Sequence, residues 1–250
     1  MAKREQIYTI PVNDAFNQLT ICPLCELERV QTDILTEFYL GPSLMEADHR
    51  LTTNEKGFCI THLTDMYNSQ KNRLGLGLML HTHLKDVTEN LTEVLAKAKP
   101  DERKGGLFLR QKTDWKAGFA DAAASLRGRA DSCVICERLQ TTMERYLEVV
   151  FWQYEQDEDF RNKIRDGQGF CLQHTAVLLD GAAAYLSRPV AESFLIDLTE
   201  LQTQHFRSLT EDVEWFTLKF DYRNQNAPWK NSKDALLRAI RRLEGMSELH

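Results

Sequence analysis

Cys22-Pro23-Leu24-Cys25-Glu26 returns 111 residues later as Cys133-Val134-Ile135-Cys136-Glu137. Gly57-Phe58-Cys59-Ile60-Thr61-His62 returns after 112 residues as Gly169-Phe170-Cys171-Leu172-Gln173-His174. All six cysteines of the chain fall inside these four segments. Agreement across so many residues of ligand type reads as an internal duplication.

The residue types point to a metal. Structural zinc takes four donors in a tetrahedron, and three cysteines with one histidine is a standard set. Residues three apart lie on one face of a helical turn, so each C-x2-C and C-x2-H pair offers one edge of that tetrahedron. Thiolates near helix N-termini are favoured by the helix dipole and ionise more readily. Pro23 suits a first helical turn, where its missing N–H costs no bond. Taken in chain order, the ligand sets are Cys22, Cys25, Cys59 and His62, then Cys133, Cys136, Cys171 and His174, which predicts two zinc ions per chain. Two alternatives are weaker. A redox-active C-x2-C pair lacks its usual βαβ surroundings, and an iron–sulfur cluster with one histidine ligand is the other.

Around these motifs the pattern is helical. Amphipathic stretches follow the C-x2-C pairs, over 26–39 and 137–154, and shorter polar segments follow them over 43–55 and 157–166. Leu80, Leu84, Val87, Leu91, Val94 and Leu95 share one helix face, as do Phe194, Leu198, Leu201, Leu209, Val213, Phe216 and Phe220. No run shows sustained two-residue alternation. The expected fold is all-α: a first zinc-binding repeat over 1–98, a charged Pro- and Gly-containing linker over 99–112, a second repeat over 113–220, and a C-terminal loop and helix over 221–250. That last helix is expected over 232–243, with Asn231 as its N-cap.

The totals agree with a soluble chain. It has 250 residues, 42% of them hydrophobic, and a net charge of -6. The acidic balance disfavours broad nucleic-acid binding. No export signal and no membrane-spanning run is evident, so a cytoplasmic location is expected, where structural disulfides are rare.

Outside the ligand sets, His205 reads as a core histidine. His81 and His83 read as surface or groove residues, and His49 as an outer partner of the metal set. His250 reads as a disordered terminal residue. Lys233, Arg238, Arg241 and Arg242 read as the solvated face of the last helix. The stretch between Asp221 and Asn231 is dense in polar and aromatic groups. Asp221, Tyr222, Arg223, Asn224, Trp229 and Asn231 are therefore candidates for a binding surface, or else an anchor for the last helix.

The chain resembles an uncharacterised bacterial family known only as a domain of unknown function. The resemblance rests on Cys22-Pro23-Leu24-Cys25, Asn54-Glu55-Lys56-Gly57-Phe58-Cys59 and Asn72-Arg73-Leu74-Gly75-Leu76. It continues through Cys133, Cys136, Gly169-Phe170-Cys171, His174 and Lys219-Phe220-Asp221-Tyr222-Arg223-Asn224. Pro228-Trp229 and Asn231-Ser232-Lys233-Asp234 complete it. It implies the cysteine and histidine sites and no activity.

Three functions compete. The first is a zinc-stabilised helical scaffold that binds an unknown protein or small molecule. The second is a thiol- or metal-dependent redox protein or enzyme. Four protein donors per site leave no open catalytic position, and no G-x-S-x-G, P-loop or H-E-x-x-H motif is present. The third is a nucleic-acid-binding zinc protein. Oligomeric state is not legible in the sequence.

Overall fold

The computed structural model describes residues 2–99 and 115–245. The fold is all-α, with no strand among the described residues. In chain order the helices are α1 (Ala2–Asn17), α2 (Pro23–Leu40), α3 (Ala47–Lys56), α4 (Ile60–Asn68), α5 (Arg73–Ala98) and α6 (Trp115–Ala130). They continue with α7 (Val134–Gln156), α8 (Glu158–Arg165), α9 (Leu172–Tyr185), α10 (Arg188–Leu218) and α11 (Ala235–Glu244). The linker expected over 99–112 lies outside the described residues except for Lys99, as does His250.

The chain divides into two compact units, residues 1–31 with 141–250, and residues 32–140. Both boundaries fall inside helices, because α2 and α7 each run unbroken and serve both hydrophobic clusters. Leu24 and Leu27 of α2 belong to one core, and Leu35 and Tyr39 of the same helix to the other.

In the first unit the core is aromatic. Phe16 lies 4.9 Å from Phe160 and 6.2 Å from Phe170 between ring centroids. Phe151 and Tyr154 meet Phe194 edge-on at 5.4 and 5.0 Å. Each fully buried ring of this kind stabilises by roughly 2–3 kcal/mol. The Tyr154 hydroxyl donates to Asp197 Oδ2 at 2.6 Å. Burial first, then that bond, push the phenol up to about 12. Helices α8, α9 and α11 pack on α10.

In the second unit Leu35, Tyr39, Met66, Leu76, Met79 and Ile135 form the core. Helices α3 and α6 pack on α5. Asn72 caps α5, its side-chain oxygen accepting from Gly75 N–H at 2.8 Å.

The stretch from Asp221 to Asn231 wraps a buried cation. Lys219 is 5% exposed, and its ammonium donates to the carbonyls of Asn224, Gln225 and Ala227 at 2.6, 2.9 and 2.7 Å. All three of its protons are thereby used. Trp229 packs 6.0 Å from Phe216, and Trp215 Nε1 donates to Pro228 C=O at 2.9 Å. Lys219→Met takes a donor from three carbonyls, of which Asn224 C=O keeps Ala227 N–H at 3.0 Å, and is expected to cost about 2–4 kcal/mol. Hydrogen exchange of the amides over 221–231 should accelerate, with little change in α1.

The last helix starts later than expected. Its first residue is Ala235 and its N-cap position is Asp234, not Asn231. Asn231 instead gives its carbonyl to the guanidinium of Arg238. The turn that holds Asn231 is closed by Ser232, whose N–H and hydroxyl both donate to Trp229 C=O.

Candidate metal centres

Each of the four short motifs opens a helix. Cys22 and Cys133 stand immediately before α2 and α7, where their carbonyls accept the first helical bonds, from Glu26 and Glu137 N–H. Cys59 and Cys171 are the N-cap residues of α4 and α9. The second ligand of every pair therefore sits at the third helical position, on the same face as the first. Two of the opening cysteines cap through sulfur: Cys171 Sγ accepts from His174 N–H at 3.4 Å, and Cys133 Sγ from Cys136 N–H at 3.5 Å, whereas Cys59 makes no side-chain cap bond. A helix N-terminus carries partial positive charge, so each arrangement favours thiolate.

The glycine before each Phe-Cys pair makes the entry turn. Gly57 has φ 64° and Gly169 φ 83°, the left-handed region that side chains avoid. Space is short as well. A methyl on Gly57 would stand 2.5 Å from the His83 ring, and one on Gly169 2.6 Å from Gln202 Oε1. Gly169→Ala is expected to cost roughly 1–3 kcal/mol. That is a melting point lower by roughly 2–4 °C per kcal/mol in a chain of this length. The control Gly77→Ala, where nothing lies within 4 Å, should not destabilise.

The ligands group across the chain, not along it. Cys22 and Cys25 join Cys171 and His174; Cys59 and His62 join Cys133 and Cys136. Within each group all donor atoms lie within 4.8 Å of one another. The expected sets, Cys22 and Cys25 with Cys59 and His62, and Cys133 and Cys136 with Cys171 and His174, are thus corrected. All eight residues are used, but each C-x2-C pair meets the C-x2-H pair of the other copy. The physical reason lies in the helix starts. In the second unit Val134 N–H donates to Gly57 C=O at 3.1 Å, which sets the entry turn of α4 against the first turn of α7. In the first unit Arg242 clamps the equivalent segments, donating to Ile21 C=O at 2.8 Å and Phe170 C=O at 3.1 Å.

In cluster one, His174 Nδ1 lies 3.2 Å from Cys25 Sγ, 3.2 Å from Cys171 Sγ and 3.5 Å from Cys22 Sγ. Cys25 and Cys171 sulfurs are 3.6 Å apart. In cluster two, His62 Nδ1 lies 3.2, 3.4 and 3.5 Å from the sulfurs of Cys59, Cys133 and Cys136, and the Cys59 and Cys136 sulfurs are 3.7 Å apart. An ion with tetrahedral bonds of about 2.3 Å to sulfur has donor–donor edges of about 3.8 Å. Both donor sets fit such an ion, with Nδ1 as the imidazole donor.

Electrostatics says the same. Hydrogen bonds that the Cys25 thiol donates to Cys171 and Cys22, then burial, drive it far up. Cys171 is held far down by its bonds with Cys22 and Cys25 and, against burial, by His174. Burial opposes a His174 cation, yet Cys171 and Cys22 carry the ring up to about 10. In cluster two burial, Cys133 and Cys59 push Cys136 up to about 12. Thiols this close cannot all ionise unless a cation sits among them. A divalent ion would replace those shared protons.

The clusters differ in their surroundings. Cluster one is closed: Cys22, Cys25, Cys171 and His174 are all buried. Glu28, one helical turn beyond Cys25, brings Oε2 to 3.6 Å from His174 Nε2, where it can orient the ring. At the matching place in α7 stands Leu139. Cluster two has Cys133 and His62 buried, Cys59 partly exposed and Cys136 exposed.

Sequence reasoning missed Glu28 and Arg242. Glu28 was detectable as the i+3 neighbour of Cys25. Arg242, read as part of a solvated face, is 6% exposed. Its second terminal nitrogen donates to Gln168 C=O at 2.6 Å. Burial lowers its pKa, and the charges of Cys22, Cys171 and Cys25 oppose that shift. Arg238 is also engaged, with Asp212 and Asp234 at 3.0 Å each. Lys233 is exposed.

The remaining candidates fall as follows. His205 Nε2 is 2.9 Å from Gly167 C=O, and His83 Nδ1 is 2.8 Å from Asn54 C=O, so both steady the chain before the glycine turns. His81 is exposed. His49 lies 3.2 Å from Glu46 and 3.3 Å from Arg138. Arg223 forks onto Asp221, at 2.6 Å for the closest pair, and Tyr222 is exposed. Asn231 lines a cavity of about 590 Å³ with Gln168, His205, Asp212, Lys230 and Arg238. No described helix is long and apolar enough to cross a membrane.

No curated protein and no solved structure matches the chain. A family model does, over residues 3–250, and the chain belongs to that family of unknown function, DUF6062.

Proposed function

We propose that the protein is a zinc-stabilised helical scaffold that binds a partner. The observation that carries this reading is the convergence of four protein donors in each cluster at the edge lengths of one tetrahedral ion. Four protein donors leave no open position for substrate, which favours a structural over a catalytic ion. Soft thiolates with one imidazole select zinc over magnesium or calcium. Sulfurs 3.6 to 3.7 Å apart suit a single ion better than an iron–sulfur cluster, whose sulfides would hold the cysteines further apart. The six free cysteines suit a reducing, cytoplasmic setting.

Each ion would tie two helix starts that are remote in sequence, α2 with α9 and α4 with α7, and so contribute folding energy. The partner-binding half of the proposal is supported by the cavity between α10 and the segment leading into α11. Lys230, Arg238 and Asp212 give it charge of both signs and Asn231 lines it beside them, which suits a small polar ligand or a charged peptide.

The test is metal analysis of the full chain purified without added metal, together with its visible spectrum. Two zinc ions per chain and no charge-transfer absorption are expected. Iron with acid-labile sulfide, or a folded chain without metal, overturns the reading.

A further inference from the structure

The two clusters differ in how far solvent reaches the sulfur. We propose that cluster two is a peroxide- and electrophile-reactive zinc–thiolate centre, with Cys136 as the modified residue, while cluster one is a permanent staple. The proposal rests on the zinc reading above.

Three observations carry it. The first is access. Every ligand of cluster one is buried, whereas Cys136 is exposed and Cys59 partly so. Thiolate reactivity needs both ionisation and approach, and the ion supplies the ionisation in both clusters, so approach decides between them. The second is cover. Gly245, just beyond α11, is buried over cluster one: a methyl built on it would lie 3.6 Å from Cys25 Sγ and 3.9 Å from Cys171 Sγ. Arg242 clamps the chain segments that lead into both helix starts there. At cluster two the hydrogen-bond partners of Cys136 Sγ are Cys59 Sγ and His62 Nδ1, members of the same set. The third is a resolving partner. Cys59 Sγ lies 3.7 Å from Cys136 Sγ. Cys133 is buried and its sulfur is held as a helix cap by Cys136 N–H. Cys59, partly exposed and with no cap bond on its sulfur, is therefore the resolving thiolate.

Three thiolates and a neutral imidazole around a dication leave one net negative charge, so the sulfurs stay nucleophilic. The chemistry balances with hydrogen peroxide as oxidant. The Cys136 thiolate attacks the peroxide; an S–O bond forms, the O–O bond breaks and hydroxide leaves. The Cys59 thiolate then attacks the sulfenic sulfur; an S–S bond forms, the S–O bond breaks and a second hydroxide leaves. Two thiolates have lost two electrons and the peroxide has gained them. With Cys59 and Cys136 joined, only Cys133 and His62 remain as donors, and the ion departs. Reduction by a dithiol restores the site.

The experiment uses the full chain as purified. Its metal is counted first, then hydrogen peroxide is added. Released zinc is followed with a coloured chelator, and disulfides are mapped by mass spectrometry without reduction. In a parallel arm, limiting N-ethylmaleimide is added and labelled cysteines are located. One of the two ions should leave roughly tenfold faster than the other. The first disulfide should join Cys59 to Cys136, and Cys136 should be the first residue labelled. Cys136→His keeps four donors while removing the exposed thiol, and should lose the fast phase. The mapping on the unaltered chain decides the matter if that variant does not fold. Two ions released together, or a first disulfide or label among Cys22, Cys25 and Cys171, overturns this inference alone. A chain without metal as purified overturns the zinc reading and this inference with it.

Discussion

A chain carrying both Cys22→Ser and Cys171→Ser keeps one metal equivalent, and a chain carrying both Cys22→Ser and Cys59→Ser keeps none. The two double variants remove the same number and type of ligands, so composition alone cannot separate them. The separation comes from the grouping of Cys22 with Cys171 and of Cys59 with Cys133. The first variant damages one cluster twice; the second damages each cluster once. Metal analysis after gel filtration reads the result directly. The reverse pattern, none kept in the first and one in the second, would mean that the ligands pair in chain order. The stability effect is also large. Structural zinc contributes on the order of 10 kcal/mol in small sites, against a total stability of about 5–15 kcal/mol for a typical domain. Cys171→Ser alone should therefore unfold most of α9 and the start of α2, read as lost helical signal and faster proteolysis in those segments.

Arg242→Leu should be the most damaging change outside the ligands. The guanidinium is buried and gives hydrogen bonds to three carbonyls, of Ile21, Gln168 and Phe170. Two of these residues immediately precede a ligand, Cys22 or Cys171. Removing the donor takes a hydrogen bond from all three carbonyls, of which Phe170 C=O keeps a second donor in Gln202 Nε2 at 2.9 Å, and frees both helix starts. The cost is expected to be about 3–5 kcal/mol, the range for breaking a buried charged group out of its network. Metal affinity of cluster one should fall 10- to 100-fold, as when outer partners of a metal site are lost. Lys233→Leu, on the same basic helix but exposed, should shift stability by no more than about 0.5 kcal/mol. Chelator competition and thermal melting on the two variants distinguish a clamp from a solvated face. Equal small effects would show that Arg242 only faces water.

Much of the site was legible because metal chemistry is local. A donor type and an i, i+3 spacing are properties of a few consecutive residues, and all eight candidate ligands stood out on those grounds. The helices after them were legible for the same reason, since α5 and α10 carry their apolar residues at helical spacing. Glu28 and Arg242 were less visible. A carboxylate one turn from a ligand, or an arginine in an amphipathic helix, looks the same whether it faces water or a thiolate cluster. His83 and His205 belong to this class too: their work is a bond to a backbone carbonyl, at Asn54 and Gly167, and a carbonyl leaves no mark in the side-chain pattern.

The amino-acid sequence by itself determined the all-α class, the eight cysteines and histidines that cluster, the four helix starts they occupy and the two glycine turns, because each follows from backbone preference and side-chain chemistry over six residues or fewer. Only the tertiary structure decided which pair meets which. Two C-x2-C pairs and two C-x2-H pairs with near-identical neighbours satisfy the donor count in either combination, so the choice rests on long-range packing: Val134 on Gly57, Arg242 on Ile21 and Phe170, and unbroken α2 and α7 helices that each feed both cores. The same packing made the clusters unequal, closing Cys25 and Cys171 beneath Gly245 and leaving Cys136 open to solvent.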